Sequence, residues 1–322
     1  MRQEGWHLAL EHQLEALKWT MEYPDYLPDF YDSFFQRQDE PEKAELPEWA
    51  AEEAPKYSIL TRQMLYRGDT IYITRDMEHL LLQAAHDLPD DVTCDVRQVL
   101  TPIGFLYLAD SIEGQDTNEE LITFRALGWS VEPVMDRDNP GHTKLCVHTF
   151  WFSDDQMNLN HEKFRNASRR NNVWIPNLLL AHYYPIYDAE RLTPEDMLGD
   201  ARAELTKACV KLFWAFQLLS QQKIVSTQRM NPPRSTRRRH GAPKEGWRYI
   251  SLITLRRKSA KKDGDEEKKI DWTHRWVVEG HWRKQWYPKL GIHQWKYIHE
   301  YVKGPEDKPL WVRERRVFNF RR

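Results

Sequence analysis

Three short segments near the middle of the chain decide its fold: GFLYLA (104–109), TFRALGWSV (123–131) and KLCVHTFWF (144–152). Each is rich in the aromatic and branched apolar side chains that favour β-strands. Turn-forming residues separate them, first at 113–114 (EG) and then at 138–141 (DNPG). Successive strands joined in this way favour antiparallel pairing. The segments therefore predict a central, mostly antiparallel sheet with helices packed against it.

Helical patterns flank these strands, so the chain is predicted to be α+β. Residues 77–88 place apolar side chains at i, i+3, i+4, i+7, i+8 and i+11, which is one face of a helix. A long helix is predicted near 194–224, where an N-cap threonine and a first-turn proline precede leucines that recur every seven residues. Residues 6–21 predict an amphipathic helix, and residues 57–74 predict an extended segment.

Charge is divided unevenly along the 322 residues. The net charge is only −2, but residues 223–322 carry 27 basic and 11 acidic side chains, a net charge of +16. Residues 1–222 carry 20 basic and 38 acidic side chains, a net charge of −18. Such a division indicates a polyanion-binding part joined to an acidic part, unless the two parts neutralise each other within the fold.

Composition and pattern together predict three regions. The first contains an N-terminal helix and an acidic linker, the second is the α+β core, and the third is a basic β-rich module packed on that core. The predicted boundaries are 1–56, 57–225 and 226–322. Within the third region, segments 249–257 and 272–282 are predicted to pair as a hairpin with a long tip.

The segment Trp272–Pro288, WTHRWVVEGHWRKQWYP, combines four tryptophans and two histidines with several basic side chains. Lys and Arg bind phosphates, whereas flat aromatic or guanidinium groups stack on bases. If the segment begins as a strand, alternation directs Trp276 and Trp282 toward the core. The same alternation places His281 and Arg283 on the opposite, polar face.

The sequence lacks the motifs that mark several classes of enzyme and binding site. The chain contains no phosphate-binding GxxxxGK[ST] loop, GxGxxG, HExxH or GxSxG, and no cofactor or metal site is expected. No apolar run reaches membrane-spanning length, so no membrane partner is expected. The three cysteines, Cys94, Cys146 and Cys209, are odd in number and far apart, which fits a reducing cytoplasm.

Three stretches carry a resemblance to other proteins: GHWRKQWYPKLGIHQWKYIHEYVKGPEDKPL (280–310), TIYITRDMEHLLLQAA (70–85) and LTPIGFLYLAD (100–110). They resemble proteins of unassigned function from actinobacteria and actinobacteriophages, which share the pattern GHWRxQWYPxxGxH…KGPEDxPL. The resemblance implies a bacterial or phage cytoplasmic setting and transfers no activity.

The leading hypothesis is a nucleic-acid-binding protein of phage or mobile-element origin, with DNA and RNA both open as partners. The basic third region would bind the phosphate backbone. Its predicted contacts are Arg237, Arg238, Arg239, Arg256, Arg257, Lys258, Arg275, Arg283 and Lys284.

Two alternatives stay open. A metal-independent, toxin-like ribonuclease would use His281 for proton transfer and Arg283 to stabilise charge at the scissile phosphate, because imidazole titrates near neutral pH. An interaction protein would instead bind a host protein through the acidic segment 38–55.

Overall fold

The computed structural model describes residues 5–36, 48–93, 95–115, 121–135, 141–154, 176–188, 201–240, 249–256, 274–289, 291–305 and 307–311. The helices are α1 (Trp6–Glu22), α2 (Tyr26–Gln36), α3 (Glu48–Arg67), α4 (Arg75–His86), α5 (Ala201–Ser220) and α6 (Arg234–His240). The strands are β1 (Asp69–Ile73), β2 (Ile103–Gln115), β3 (Leu121–Met135), β4 (Thr143–Ser153), β5 (Leu179–Tyr187), β6 (Val225–Met230), β7 (Ile250–Leu255), β8 (Arg275–Val278), β9 (His281–Tyr287), β10 (Ile292–Ile298), β11 (Tyr301–Lys303) and β12 (Leu310–Trp311).

A seven-stranded sheet in the order β5-β4-β3-β2-β1-β7-β6 confirms the α+β class. Strand β1 runs parallel to both of its neighbours, β2 and β7, whereas the other neighbouring pairs are antiparallel. The prediction of a mostly antiparallel sheet is therefore right only for the outer strands. The centre is mixed because α4 carries the chain back across the sheet, and such a crossover returns the next strand in the parallel direction.

The alternation of side chains along β1 separates two cores. Ile71 and Ile73 lie on one face, where they belong to the apolar cluster that contains α4 and α5. Tyr72 lies on the other face, in the cluster that contains α1 and α3. Successive side chains of a strand point to opposite faces, so the central sheet is covered on both sides.

The predicted apolar face of α4 is confirmed, because all of its members are buried: Met77, Leu80, Leu81, Ala84, Ala85 and Leu88. The long helix predicted near 194–224 is present as α5. Its predicted first turn lies outside the described residues, which resume at Ala201. Phe213, Trp214 and Phe216 are buried, as expected from a helix that packs on several sides.

Residues 57–67 are helical, so the prediction of an extended segment was wrong for this stretch. They form the second half of α3, in which Leu60, Met64 and Leu65 are buried. Thr61 is buried as well, so the buried positions 60, 61, 64 and 65 repeat at a spacing of four residues, which fits one helical face. Only the following Asp69–Ile73 is a strand, and its central position in the sheet explains the apolar run in this strand.

The hairpin predicted between segments 249–257 and 272–282 is not formed. β7 pairs with β1 and β6 in the central sheet, where Ile250, Leu252 and Ile253 are buried. The central sheet thus includes strands from both sides of the boundary predicted at 225/226. The segment after residue 273 divides at Glu279-Gly280 into β8 and β9, which belong to different small sheets.

Candidate nucleic-acid interface

A two-stranded hairpin of β9 and β10, residues 281–298, is a strongly basic element of the described part of the chain. Its sequence, HWRKQWYPKLGIHQWKYI, contains four Lys and Arg residues and neither Asp nor Glu. The strands pair in an antiparallel register that sets Trp286 opposite His293 near the turn. Gly291 closes the turn with φ +64°, a left-handed conformation that glycine adopts without a Cβ clash.

At the end of the hairpin away from the turn, Trp282 and Tyr297 lie opposite each other. They anchor the hairpin to the C-terminal end of α4. Both are buried, and their rings meet edge to face with centroids 5.2 Å apart. The Trp282 Nε1–H donates to the Ala84 carbonyl at 2.7 Å. The Tyr297 hydroxyl donates to Asp87 at 3.5 Å. Burial and the nearby Asp87 carboxylate raise the pKa of Tyr297 to about 12.

One face of the hairpin is aromatic. Residues directly opposite in an antiparallel pair share a face, and every second pair lies on the same side. The pairs Lys284–Trp295 and Trp286–His293 therefore extend the face that Trp282 begins. Trp286 is 44% exposed, and its ring centroid lies 4.7 Å from that of His293. The Lys284 Nζ lies 5.7 Å from the Trp295 ring centroid.

The opposite face of the hairpin is polar and cationic. Arg283 and Lys296 are direct cross-strand partners, and Gln285 and Gln294 form the next pair toward the turn. The Arg283 guanidinium donates to the side chain of Gln285. In the part of the chain that the structure describes, neither cation has a carboxylate partner. Like charges directly opposite each other destabilise an antiparallel pair, so a bound anion would relieve this repulsion.

The structure does not bring all the predicted phosphate contacts together. Arg283 and Lys284 lie on the hairpin, whereas Arg237, Arg238 and Arg239 lie on α6, which packs against α1. Because α1 covers one face of the sheet and the hairpin packs on the face of α4, the two basic groups are separated. Within α6, Arg239 forms an ion pair with Glu11 of α1.

The remaining predicted contacts are scattered. Arg256 is exposed just after β7, and its backbone N–H donates to Ile224. Arg275 is half-buried in β8, within the three-stranded sheet β11-β8-β12. Its Nε has no hydrogen-bond partner among the described residues. Arg257 and Lys258 lie outside the described residues.

His281, the predicted general acid or base of the ribonuclease alternative, is exposed at the start of β9. Its Nδ1 lies 3.0 Å from the backbone oxygen of Glu279, and its cross-strand partner is Ile298. No hydrogen bond joins His281 to a second titratable side chain within the described ranges. A proton-transfer pair centred on His281 is therefore not assembled there.

A second polar cluster, which sequence reasoning missed, lies on the α1 side of the sheet. Tyr107 of β2 places its hydroxyl 2.8 Å from Nδ1 of His12. The Arg125 guanidinium lies 5.1 Å from the Tyr107 ring centroid. Burial lowers the pKa of His12 and raises that of Tyr107. These residues come from a helix and two strands, so no local pattern in the sequence identifies the cluster.

Charged groups at the start of α4 adjoin this cluster. Arg75 binds both carboxylate oxygens of Asp110, at 2.6 and 2.9 Å, and thereby lowers the pKa of Asp110. Glu78 is buried and accepts the Asp110 backbone N–H at 2.9 Å. Burial nevertheless raises the pKa of Glu78. The pairing of β2 with β3 shifts register between Tyr107 and Ile112, which brings these backbone groups toward α4.

The described residues contain no cluster of three or more His, Cys, Asp or Glu side chains that could hold a metal ion. Their helices include none that is long and apolar enough to cross a membrane.

No family model and no curated protein matches the chain. Among solved structures, the crystal structure of AcrVA2 is similar over 90% of this chain and 97% of that chain, with 10% sequence identity and a TM-score of 0.42. A likeness this weak carries no argument about fold or function.

Proposed function

We propose that the protein binds nucleic acid through the hairpin of β9 and β10. The observation that carries this proposal is the cross-strand pair Arg283–Lys296 in a hairpin without a single carboxylate. Two cations held opposite each other repel, and a phosphate group between them would offset that repulsion. A polyanion supplies such groups at regular intervals.

The hairpin also has a shape that nucleic-acid binding uses. A two-stranded ribbon is narrow enough to enter the major groove of a duplex, and it can equally lie along a single strand. Gln285 and Gln294, the next pair on the same face, add hydrogen-bonding groups beside the cationic pair. Anchoring by Trp282 holds these side chains in place before a ligand arrives, which reduces the entropy lost on binding.

The charge division of the chain supports the same proposal. The hairpin lies within the last hundred residues, whose net charge is +16. A basic surface accelerates the association with a polyanion and strengthens binding at low salt. The bacterial or phage cytoplasmic setting stays a prediction from the resemblance of the tail.

Fluorescence anisotropy of the full chain with labelled single- and double-stranded DNA and RNA tests the proposal at about 50 mM salt. The double variant Arg283→Gln/Lys296→Gln removes the cationic pair, and roughly ten- to hundredfold weaker binding is expected. The matched control, Lys223→Gln/Arg229→Gln, removes one exposed lysine and one exposed arginine away from the hairpin and should change affinity by about twofold at most.

The proposal fails if the wild-type protein binds none of these nucleic acids at low salt. It also fails if the control variant weakens binding as much as the hairpin variant does, because the effect would then follow net charge alone.

A further inference from the structure

The aromatic face of the hairpin presents rings to solvent, and phosphate binding by the cationic face does not require such rings. Trp286 presents a partly exposed ring beside His293, and one step along the strands Trp295 lies beneath the ammonium group of Lys284. The buried pair that contains Trp282 continues this row and fixes its orientation. The Trp286 ring is therefore open to a ligand, whereas Trp295 is half-buried against the central apolar cluster and offers only part of its ring.

The spacing of these rings fits an extended strand of nucleic acid. Trp286 and Trp295 lie on paired strands as diagonal neighbours of one face, and such neighbours are about 7–8 Å apart. The bases of one strand in a duplex are about 3.4 Å apart. The two rings are therefore separated by about twice the duplex spacing, which suits bases that have come apart from one another.

We infer that the hairpin selects single-stranded nucleic acid and stacks unpaired bases on Trp286 and Trp295. This inference rests on the proposed function. In a duplex both faces of each base are already covered by neighbouring bases, so an aromatic side chain reaches a base face only by unstacking the helix. An unpaired strand offers its base faces freely, and every base has one.

Lys284 gives the aromatic face its own cation. Its ammonium group lies over Trp295, and an arriving base would take its place on the ring. The long side chain of Lys284 could then reach the adjoining phosphate. Stacking and phosphate binding would thus occur on one face, while Arg283 and Lys296 on the opposite face would bind phosphates of a strand that passes around the edge of the hairpin.

Binding of the full chain to labelled oligo-dT and oligo-rU of about 12 nucleotides, and to a blunt duplex of the same length, tests this inference at about 50 mM salt. The wild-type protein should bind the single strands roughly tenfold more tightly than the duplex. Trp286→Ala should weaken single-strand binding about tenfold and leave duplex binding within about twofold. Trp286→Phe, which keeps a stacking ring, should retain most of the single-strand affinity.

Tyr249→Ala removes another exposed aromatic side chain, outside the hairpin, and serves as the control that should not change binding. Duplex binding as tight as single-strand binding in the wild-type protein overturns the inference. Equal weakening of both ligands by Trp286→Ala also overturns it. In either case the proposed function still stands if Arg283→Gln/Lys296→Gln loses affinity for nucleic acid and its control variant does not. If the wild-type protein binds none of the ligands, both the proposed function and this inference are rejected.

Discussion

The indole Nε1–H of Trp282 donates to the backbone carbonyl of Ala84 across 2.7 Å, and this bond joins the hairpin to the last turn of α4. The carbonyls of a last helical turn lack partners within the helix, so an external donor there satisfies a group that would otherwise be unpaired. The hydrogen bond also fixes how far the hairpin lies from the central sheet. The orientation of both hairpin faces therefore depends on this contact.

Replacement of Trp282 by Phe should keep most of the buried ring and remove the hydrogen bond to Ala84. The free energy of unfolding should fall by about 1–3 kcal/mol, because a buried carbonyl loses its donor. Urea denaturation measures this loss. Relative to the wild-type protein, amide hydrogen exchange should accelerate more in residues 281–298 than in α4, since the hairpin loses its anchor. Unchanged protection of the hairpin would show that Trp282 does not hold it in place.

Gly280→Ala should push Tyr297 away from Asp87. A Cβ at position 280 would lie 2.2 Å from the Tyr297 hydroxyl oxygen and 2.9 Å from Cζ, which is closer than atoms can approach. The expected loss of stability is about 1–3 kcal/mol.

Tyr297→Phe removes the atom nearest to that Cβ. The double variant Gly280→Ala/Tyr297→Phe should therefore be less destabilised than the sum of the two single variants. Strict additivity in urea denaturation would contradict the predicted clash.

Protonation of His12 should contribute to acid sensitivity. Burial holds the pKa of His12 below 6.5 in the folded chain, and although Glu15 raises this pKa, Arg125 lowers it further. The unfolded chain thus binds the proton more tightly. Stability from neutral His12 should be fully present above pH 6.5 and should be lost as the pH falls through 6.5 toward the lower folded value.

His12→Gln should therefore make the free energy of unfolding less dependent on pH between about pH 7 and pH 5 than in the wild-type protein. His142→Gln, at an exposed site, is the control. The same pH dependence in His12→Gln and the wild-type protein would contradict the role of His12.

His281→Ala should leave nucleic-acid affinity within about twofold and should have no effect on RNA integrity. The exposed imidazole hydrogen-bonds to the Glu279 backbone oxygen, and no acidic or basic side chain among the described residues hydrogen-bonds to it. Gel analysis of labelled RNA with a chelator present measures cleavage. Cleavage by the wild-type protein that disappears in His281→Ala would instead support the ribonuclease alternative.

Local periodicity predicted much of the fold. The apolar face of α4 and the aromatic strands β2, β3 and β4 follow patterns that a short window contains, whereas α1 was predicted as a helix with an apolar stripe that ends at Met21, which is exposed. The second half of α3 was predicted as extended because Leu65 and the apolar run at 71–73 were taken to flank a turn at Arg67-Gly68. The burial of Met64 and Leu65 depends on contacts with distant elements, which a window of sequence does not contain.

The candidate interface was predictable only in part. Trp282 was correctly expected to pack inward, but the break at Glu279-Gly280 ends the alternation assumed across the whole segment. Charge runs in the sequence also did not show that α6 and the hairpin lie against opposite faces of the sheet. The His12–Tyr107 contact spans 95 residues, so no motif could reveal it.

The salt dependence of binding tests the central proposal most directly. The slope of log K against log salt concentration counts the phosphates that the protein neutralises, at about 0.7 per contact on a single strand. Arg283→Gln/Lys296→Gln should make the oligo-dT slope shallower by about 1.4, and the Lys223→Gln/Arg229→Gln control should leave it unchanged. An unaltered slope in the hairpin variant would contradict phosphate binding by Arg283 and Lys296.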